Sequence, residues 1–269
     1  DFLVKSAEIS APLLTHNLLL KNIFNPFWGC FSSKKGLILF LKFSCGALIM
    51  LHQLIFRQKV SCMSKNQNRK KILITGGTGD IAKGVLNILK DSYEIYSPKT
   101  EEMDVTSLIS VRDYFRDKLF DIVVNTAGTL YSSRVIDSDP EKWIRDVNVN
   151  LIGTYLVCRE ALIHNSKTKI INISSTAGFN SYLDWTSYCA SKAGVLKLSG
   201  GLFKDGYDVV TMCPGAIDTK IRNSLNIDNS NVMSIEEGIK PIVDAVEGVY
   251  SSGNIVIYRQ NSLEILDEN

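Results

Sequence analysis

Three polar residues of the 269-residue chain have types and a spacing that suit proton transfer. The stretch IINISSTAGFNSYLDWTSYCASK, residues 170–192, places Tyr188 thirteen residues after Ser175 and Lys192 four residues after Tyr188. Residues four apart share one face of a helix. A phenol has an unperturbed pKa of about 10, and a neighbouring ammonium favours the phenolate. We therefore predict that Tyr188 transfers a proton, that Lys192 lowers its pKa, and that Ser175 holds the oxygen of a carbonyl or alcohol.

Strand-like and helix-like segments alternate from residue 71 onward and must position these groups. Short apolar runs predict strands at 71–75, 93–97, 121–128, 169–175, 208–215 and 254–258. Helical spacing of apolar residues predicts helices at 80–91, 105–119, 140–164, 187–203 and near 235–249. The strands are apolar throughout, which is typical of a parallel sheet covered on both faces. The predicted fold class is α/β, a Rossmann-type doubly wound parallel sheet in a single domain with an N-terminal extension.

A glycine-rich turn, TGGTGDIAKG, joins the first predicted strand to the first predicted helix. Gly76, Gly79 and Ala82 have the spacing G-x-x-G-x-x-A. Glycines let a backbone turn tightly and approach a pyrophosphate, which a helix N-terminus then stabilises. The turn therefore predicts a dinucleotide site. Asp80 is an anion at this position, so we expect its side chain either to cap the helix or to face away from the pyrophosphate.

The end of the second predicted strand bears on the choice between NAD and NADP. An NAD site offers a carboxylate to the ribose about twenty residues past the first glycine. Here the strand ends Tyr96-Ser97-Pro98-Lys99, without an acid. Ser97 and Lys99 could accept a 2′-phosphate, so NADP is predicted in preference to NAD, with a solvated turn as the alternative. Asp104 follows where a carboxylate could meet the adenine amino group.

Charge divides the chain into a basic leader and an acidic remainder. Residues 1–71 hold eleven Lys and Arg against two acidic residues, and the rest holds nineteen against twenty-six. We assign residues 1–62 to the leader and 63–269 to the nucleotide-binding domain. Residues 36–56 are apolar and long enough to span a bilayer, although a central Lys42 costs about 2.5–3.5 kcal/mol. The leader is interpreted as a membrane-associating segment, the tail of a larger upstream region, or sequence foreign to the natural protein; we favour the last.

Composition excludes several classes of function. The acidic remainder predicts no nucleic-acid partner. Six scattered cysteines without a C-x-x-C pair are typical of reduced thiols, and three histidines make a His-rich metal site improbable, so no metal is predicted. These features favour a cytoplasmic location, with membrane association through residues 36–56 as the alternative.

Residues 70–258 resemble the short-chain dehydrogenase/reductase family. NTAG (125–128) resembles the family's N-N-A-G, with Thr126 in place of the second Asn, and PGAIDT (214–219) resembles P-G-x-x-x-T. Trp143 and V-N-L-x-G (149–153) match the long central helix. The resemblance implies that Asn150, rather than Asn148, completes a tetrad with Ser175, Tyr188 and Lys192 and holds a water in a proton relay. The glycine-rich turn departs from the family's usual T-G-x-x-x-G-x-G, because Asp80 and Ala82 replace its later glycines.

The turn and the resemblance together assign a set of residues to a nicotinamide cofactor. Ile217 and Thr219 are implied to contact the nicotinamide carboxamide. The full set is Thr75, Gly76, Thr78, Gly79, Asp80, Ile81, Ser97, Lys99, Asp104, Val105, Asn125, Ala127, Gly128, Tyr188, Lys192, Pro214, Gly215, Ile217 and Thr219.

The predicted function is an NAD(P)-dependent oxidoreductase that interconverts a carbonyl and a secondary alcohol. The Asn-rich segment 220–233 favours a small polar substrate, a sugar or polyol derivative, with Asn180, Trp185 and Arg222 as contacts. A 3-oxoacyl reductase is the alternative, and a catalytically idle nucleotide-binding scaffold at a membrane is the alternative from another class. The resemblance also implies a homodimer or homotetramer formed through helices 140–164 and 187–203.

Overall fold

A seven-stranded sheet with helices on both faces organises the chain. The computed structural model describes residues 69–223, 225 and 229–268. The leader, with the predicted membrane segment 36–56, lies outside the described residues. Within the described ranges, no helix has both the length and the apolar character needed to cross a membrane.

The helices and strands follow the predicted order. The strands are β1 (Lys71–Ile74), β2 (Glu94–Tyr96), β3 (Ile122–Asn125), β4 (Lys169–Ile173), β5 (Val209–Pro214), β6 (Asn254–Arg259) and β7 (Ser262–Asp267). The α-helices are α1 (Asp80–Leu89), α2 (Leu108–Phe115), α3 (Pro140–Val147), α4 (Gly153–His164), α5 (Thr186–Lys204), α6 (Lys220–Asn223) and α7 (Ile235–Val246). The long helix predicted at 140–164 is α3 and α4 joined by a π-helical turn, Asn148–Ile152.

The strand order, β2-β1-β3-β4-β5-β6-β7, confirms the doubly wound prediction. Strands β1 to β6 are parallel, and the order reverses at β1, which lies between β2 and β3. In such sheets a ligand binds at the carboxyl ends of the strands beside the point of reversal. The usual order has one more strand outside β2; here the three-residue β2 is itself the sheet edge.

Strand β7 corrects the prediction that the last strand ends near residue 258. It runs antiparallel to β6 after a two-residue turn in which Asn261 has φ of 60°. Asn tolerates this left-handed conformation better than most residues. The sequence analysis did not predict β7, whose six residues are all exposed and whose apolar residues, Leu263, Ile265 and Leu266, form no buried run.

Alternate residues of β1 face the two sides of the sheet, as the period of two in a strand requires. Ile72 and Ile74 belong to a core that includes residues of α1 and α7. Leu73 belongs to a second core with residues of α2 and α4. All three are fully buried, so truncation of Leu73 to Ala would cost about 2–5 kcal/mol of stability. These two layers fix the strand ends that carry the site.

Helix α3 is held at its start and along its side. The Asp139 carboxylate accepts hydrogen bonds from the amides of Glu141 and Lys142, and Pro140 occupies the first turn. The Trp143 indole donates to the Thr186 hydroxyl at 3.0 Å. This contact joins α3 to the first residue of α5.

Candidate active site

Tyr188 and Lys192 lie one turn apart on α5, as their spacing predicts. The Lys192 ammonium is 5.5 Å from the centre of the Tyr188 ring. Lys192 is only 5% exposed, and its Nζ donates to the carbonyl oxygen of Ile173 at 2.8 Å. The last residue of β4 therefore fixes the position of the lysine.

Ser175 follows β4 and faces the same helix. Its hydroxyl accepts a hydrogen bond from the Ala177 amide at 3.1 Å and donates to the Pro214 carbonyl at 3.4 Å. The Ser175 side chain also lowers the pKa of Tyr188. Ser174 has a structural contact instead, because its hydroxyl donates to the Lys192 carbonyl at 2.8 Å. Of the two serines, Ser175 is the one that reaches the phenol.

Asn150 lies in the π-helical turn, behind Lys192, and is fully buried. Its Oδ1 accepts from the Thr129 amide at 2.8 Å, and its Nδ2 donates to the Thr129 carbonyl at 2.9 Å. A Cβ built on Gly128 would lie 3.2 Å from Asn150 Oδ1 and 3.9 Å from Lys192 Nζ. The glycine thus leaves space between the two side chains. Asn148, the rival candidate, is exposed.

Burial shifts the pKa values of the pair in opposite directions. Desolvation raises the pKa of Tyr188 to about 12, although its hydrogen bond with Ser175 lowers it. Desolvation lowers the pKa of Lys192 to about 8, and the nearby Asp146 carboxylate opposes that change. The pKa of Tyr188 is therefore raised by burial, whereas the sequence predicted that Lys192 would lower it. At neutral pH the phenol keeps its proton, and most Lys192 side chains are charged.

A cavity of about 830 Å³ lies at the carboxyl ends of β1 and β3, where the strand order predicts a ligand. Gly76 has φ of 69°, and a Cβ on Gly77 would lie 2.3 Å from the Ser97 carbonyl oxygen. Only glycine fits either position. The predicted cofactor residues that line this cavity are Gly76, Thr78, Gly79, Asp80, Ile81, Asp104, Val105, Ala127, Gly128 and Thr219. The size and the glycine-lined wall fit a dinucleotide.

Two predicted cofactor residues are instead buried in structural hydrogen bonds. The Thr75 hydroxyl accepts from the Ala127 amide at 3.0 Å. Asn125 Nδ2 donates to Asn172 Oδ1 at 2.9 Å and to Cys158 Sγ at 3.3 Å. Neither Thr75 nor Asn125 lines the cavity. Both residues join neighbouring strands, so they support the cavity from behind.

The pair predicted to accept a 2′-phosphate also lies outside the cavity lining. The Ser97 hydroxyl donates to the Ile74 carbonyl at 3.3 Å, and Lys99 is exposed. Thr100 lines the cavity at this point. The Ser97 side chain is held by the end of β1, whereas the Lys99 ammonium has no hydrogen bond or ion pair among the described residues.

The Asp80 carboxylate accepts a hydrogen bond from across the cleft and does not cap α1, the helix to which Asp80 belongs. Its Oδ2 accepts from the Lys220 amide at 2.8 Å, and its Oδ1 is 4.0 Å from Lys220 Nζ. No side chain caps α1. Asp80 therefore does not form the possible cap of α1, and its carboxylate instead joins the glycine-rich turn to the start of α6.

A second cavity, of about 580 Å³, contains the candidate proton-transfer groups. Ser175, Tyr188 and Lys192 line it together with Pro214, Gly215 and Ile217. The two cavities adjoin, since they share Ile81, Thr126, Gly128, Thr129, Thr219 and Ile221. A dinucleotide in the first cavity would therefore end beside Tyr188.

The outer wall of the second cavity is more apolar than the Asn-rich segment predicted. Leu130, Tyr182, Leu183, Trp185 and Leu225 contribute to it, and Arg222 is also present. The Trp185 ring packs edge-on against the Tyr188 ring, with centres 5.9 Å apart. The expected contact Asn180 does not line the cavity, because its amide donates to the Thr176 carbonyl at 3.1 Å.

Sequence reasoning missed one buried carboxylate in this region. Asp146, on α3, is 1% exposed and accepts hydrogen bonds from both sides of the cleft. The available signal was its position one helical turn before Asn150, which places both on one face. No motif quoted from the sequence includes it.

Comparison with known proteins is consistent with this geometry. A family model described as short chain dehydrogenase matches residues 98–230. An uncharacterized oxidoreductase of Staphylococcus aureus (strain MRSA252) is 32% identical over 165 residues, which cover 58% of this chain and 71% of the relative. An uncharacterized oxidoreductase of Staphylococcus saprophyticus is 35% identical over 130 residues, 45% of this chain and 55% of the relative.

Two solved structures share the fold. A short chain dehydrogenase from Burkholderia cenocepacia J2315, in complex with NADP, aligns with a TM-score of 0.62 and 22% identity over 71% of this chain and 88% of that one. A putative gluconate dehydrogenase from Agrobacterium tumefaciens aligns with a TM-score of 0.60 and 19% identity over 70% of this chain and 94% of that one.

The sheet order and the cleft at its point of reversal define a Rossmann-type α/β fold. With the sequence relatives, they identify the chain as a member of the short-chain dehydrogenase/reductase family.

Proposed function

We propose that the chain interconverts a carbonyl compound and its secondary alcohol with NADP(H) as the cofactor. One observation carries the proposal: Ser175, Tyr188 and Lys192 line a cavity that adjoins the glycine-lined cleft. A proton donor and a place for a dinucleotide therefore occur side by side. Both are required for hydride transfer coupled to proton transfer.

Each group of the cluster has a distinct role in the proposal. Tyr188 gives its proton to the carbonyl oxygen during reduction, and the raised pKa keeps that proton available at neutral pH. Ser175, which lines the same cavity as Tyr188, holds the same oxygen. Lys192 places a positive charge behind the phenol, and Asn150 encloses the space beyond Gly128 through which a water would connect to Lys192.

The proposed cofactor lies along the glycine-rich turn and ends at Tyr188. The first-turn amides of α1 would bind its pyrophosphate, and Asp104 would meet its adenine. The bound group supplies the hydride. NADP is preferred in the proposal because β2 ends without an acid, Lys99 is exposed beside the cavity, and the Burkholderia cenocepacia neighbour binds NADP.

Two substrate classes are candidates. A small polar compound of the sugar or polyol type is supported by Arg222 and by a neighbour described as a putative gluconate dehydrogenase. A 3-oxoacyl compound is supported by the apolar wall formed by Leu130, Leu183 and Leu225. Both carry a carbonyl, so the same proton-transfer groups serve either one.

Turnover tests the proposal directly. The full-length protein is mixed with NADPH or NADH and with dihydroxyacetone, D-fructose, acetophenone or an acetoacetyl thioester, and the loss of reduced cofactor is followed. Tyr188→Phe should lower turnover by at least about a hundredfold and leave NADPH binding within about threefold. Tyr207→Phe, a tyrosine outside both cavities, is the matched control.

Two results would contradict the proposal. Turnover unchanged in Tyr188→Phe would remove Tyr188 from the reaction. NADPH binding without turnover of any compound, unaffected by that change, would favour the idle nucleotide-binding scaffold instead. The scaffold alternative has no use for the buried lysine beside the phenol, which costs stability.

We also propose that two copies associate through the faces of α3, α4 and α5. Ile144, Tyr155 and Ile163 are between 45% and 59% exposed on α3 and α4. Exposed apolar side chains grouped on neighbouring helices are typical of interfaces. Light scattering after size exclusion should give the mass of a dimer or a tetramer. A monomer at micromolar concentration would contradict this part.

A further inference from the structure

Asp146 is a buried carboxylate that the proposed reaction does not yet use. Three groups donate hydrogen bonds to it: the Thr129 hydroxyl at 2.5 Å, the Tyr131 amide at 3.1 Å and the Ser187 hydroxyl at 2.8 Å. Thr129 and Tyr131 belong to the loop after β3, and Ser187 belongs to the first turn of α5. The carboxylate on α3 therefore joins the two segments on either side of the candidate site.

The segments that Asp146 joins contain or border the groups proposed to act. Ser187 immediately precedes Tyr188, and the Thr129 amide donates to Asn150 Oδ1. Thr129 also lines both cavities. A movement of Asp146 would therefore displace Tyr188 through Ser187 and Asn150 through Thr129.

The charge of Asp146 has no partner in a salt bridge within the described ranges. Among those residues, the buried charged side chains are Asp146, Glu160 and Lys192. Glu160 pairs with Arg159 and Arg112, whereas Asp146 receives only neutral donors. A buried carboxylate costs several kcal/mol unless it is compensated. Lys192 is the buried cation among these residues, and the Asp146 charge raises its pKa.

We propose, on the basis of the proposed function, that Asp146 is a positioning residue of this site. It holds the loop after β3 against the first turn of α5, and it supplies a buried negative charge that accepts a hydrogen bond from Ser187, the residue before Tyr188. The loss of that charge would ease proton release from both Lys192 and Tyr188. The Asp146 charge raises the pKa of Tyr188 and the pKa of Lys192. The other groups that act on this pair are Ser175 and Cys189 for Tyr188, and Cys213 for Lys192.

Asp146→Asn removes the charge and keeps a side chain of the same shape. Two matched control variants separate the effect of the Asp146 charge from the effect of its hydrogen bonds. Ser187→Ala removes one hydrogen bond and keeps the charge. Glu160→Gln removes the charge of another buried carboxylate, one that lies outside both cavities. A purely structural role for Asp146 predicts that Asp146→Asn and Ser187→Ala behave alike.

The first readout is NADPH binding followed by fluorescence between pH 6 and pH 10, which needs no substrate. Affinity of the wild-type protein should fall as pH rises through the pKa of Lys192, about 8. In Asp146→Asn the midpoint should move to lower pH by about half a unit or more. Ser187→Ala and Glu160→Gln should keep the wild-type midpoint.

The second readout is the pH dependence of turnover on a compound that the wild-type protein accepts. The alkaline limb of reduction should shift to lower pH in Asp146→Asn alone. Equal midpoints in wild type and Asp146→Asn, or an equal shift in Ser187→Ala, would overturn the proposal. Wild-type protein that binds no NADPH, or binds it without turnover, would instead mark failure of the proposed function.

Discussion

Burial shifts the pKa values of two neighbouring residues of the candidate site in opposite directions. Tyr188 holds its proton more firmly than free tyrosine does, and Lys192 holds its proton less firmly than free lysine does. Desolvation causes both changes, because it disfavours the charged phenolate and the charged ammonium alike. The residues therefore suit donation of a proton to a substrate at neutral pH better than removal of one.

This difference predicts unequal pH dependence in the two directions. In the proposed reaction, oxidation of an alcohol needs the Tyr188 phenolate, so its rate should rise by up to about tenfold per pH unit between pH 7 and pH 9. Reduction should be nearly constant up to pH 7.5 and fall above about 8, as Lys192 loses its proton. Initial rates measured in both directions over this range test the prediction. An oxidation rate that does not change between pH 7 and pH 9 would contradict it.

At the scale of elements, a hydrogen bond from α6 to Asp80 crosses the cleft. The Asp80 carboxylate on α1 accepts from the first amide of α6, so the wall formed by the glycine-rich turn is tied to the segment beyond β5. Both residues line the proposed cofactor cavity. A negative charge there opposes the pyrophosphate that the amides of α1 would otherwise attract.

Replacement of Asp80 by Asn should strengthen NADPH binding by about tenfold, because it removes like-charge repulsion while the side-chain oxygen can still accept from Lys220. Fluorescence titration at two salt concentrations measures the effect, which should shrink at high salt. Asp91→Asn, which removes an exposed carboxylate outside both cavities, serves as the control. Weaker or equal binding by Asp80→Asn would contradict this prediction.

The sequence predicted elements better than it predicted side-chain contacts. The apolar periods of β1 and α1, and the spacing from Ser175 to Lys192, were sufficient to place the fold and the proton-transfer cluster. Asn125 and Ser97 were assigned to a cofactor, but hydrogen bonds to Asn172 and to the end of β1 hold them in the framework. Those bonds join residues distant in sequence, so no local pattern contains them. Asp146 was missed for the same reason.

At the scale of the whole molecule, the buried Lys192 lowers the stability of the fold. The pKa of Lys192 falls from 10.5 in the unfolded chain to about 8 in the folded protein. Between those values the unfolded state binds more protons, so the free energy of unfolding rises with pH across that window. The shift corresponds to roughly 3 kcal/mol.

Lys192→Met should therefore raise the melting temperature at pH 7 and abolish turnover. The gain should stay below about 3 kcal/mol, because the hydrogen bond to the Ile173 carbonyl is lost. Thermal unfolding at pH 7 and pH 10 tests this, and the difference from wild type should narrow at the higher pH. If the Lys192→Met protein is less stable than wild type at pH 7, the claim that Lys192 destabilises the fold is wrong.

The strand order has a consequence for how the polypeptide folds while it is being synthesised. After β1 and β2 pair, β3 joins the free edge of β1, and β4, β5 and β6 each pair with the strand made just before. Domains fold in the order in which their segments leave the ribosome when the contacts permit it. Here each new strand meets an edge that already exists, so the sheet can grow by one strand at a time. The β6–β7 hairpin closes last, through contacts between neighbours in the chain, which form fastest.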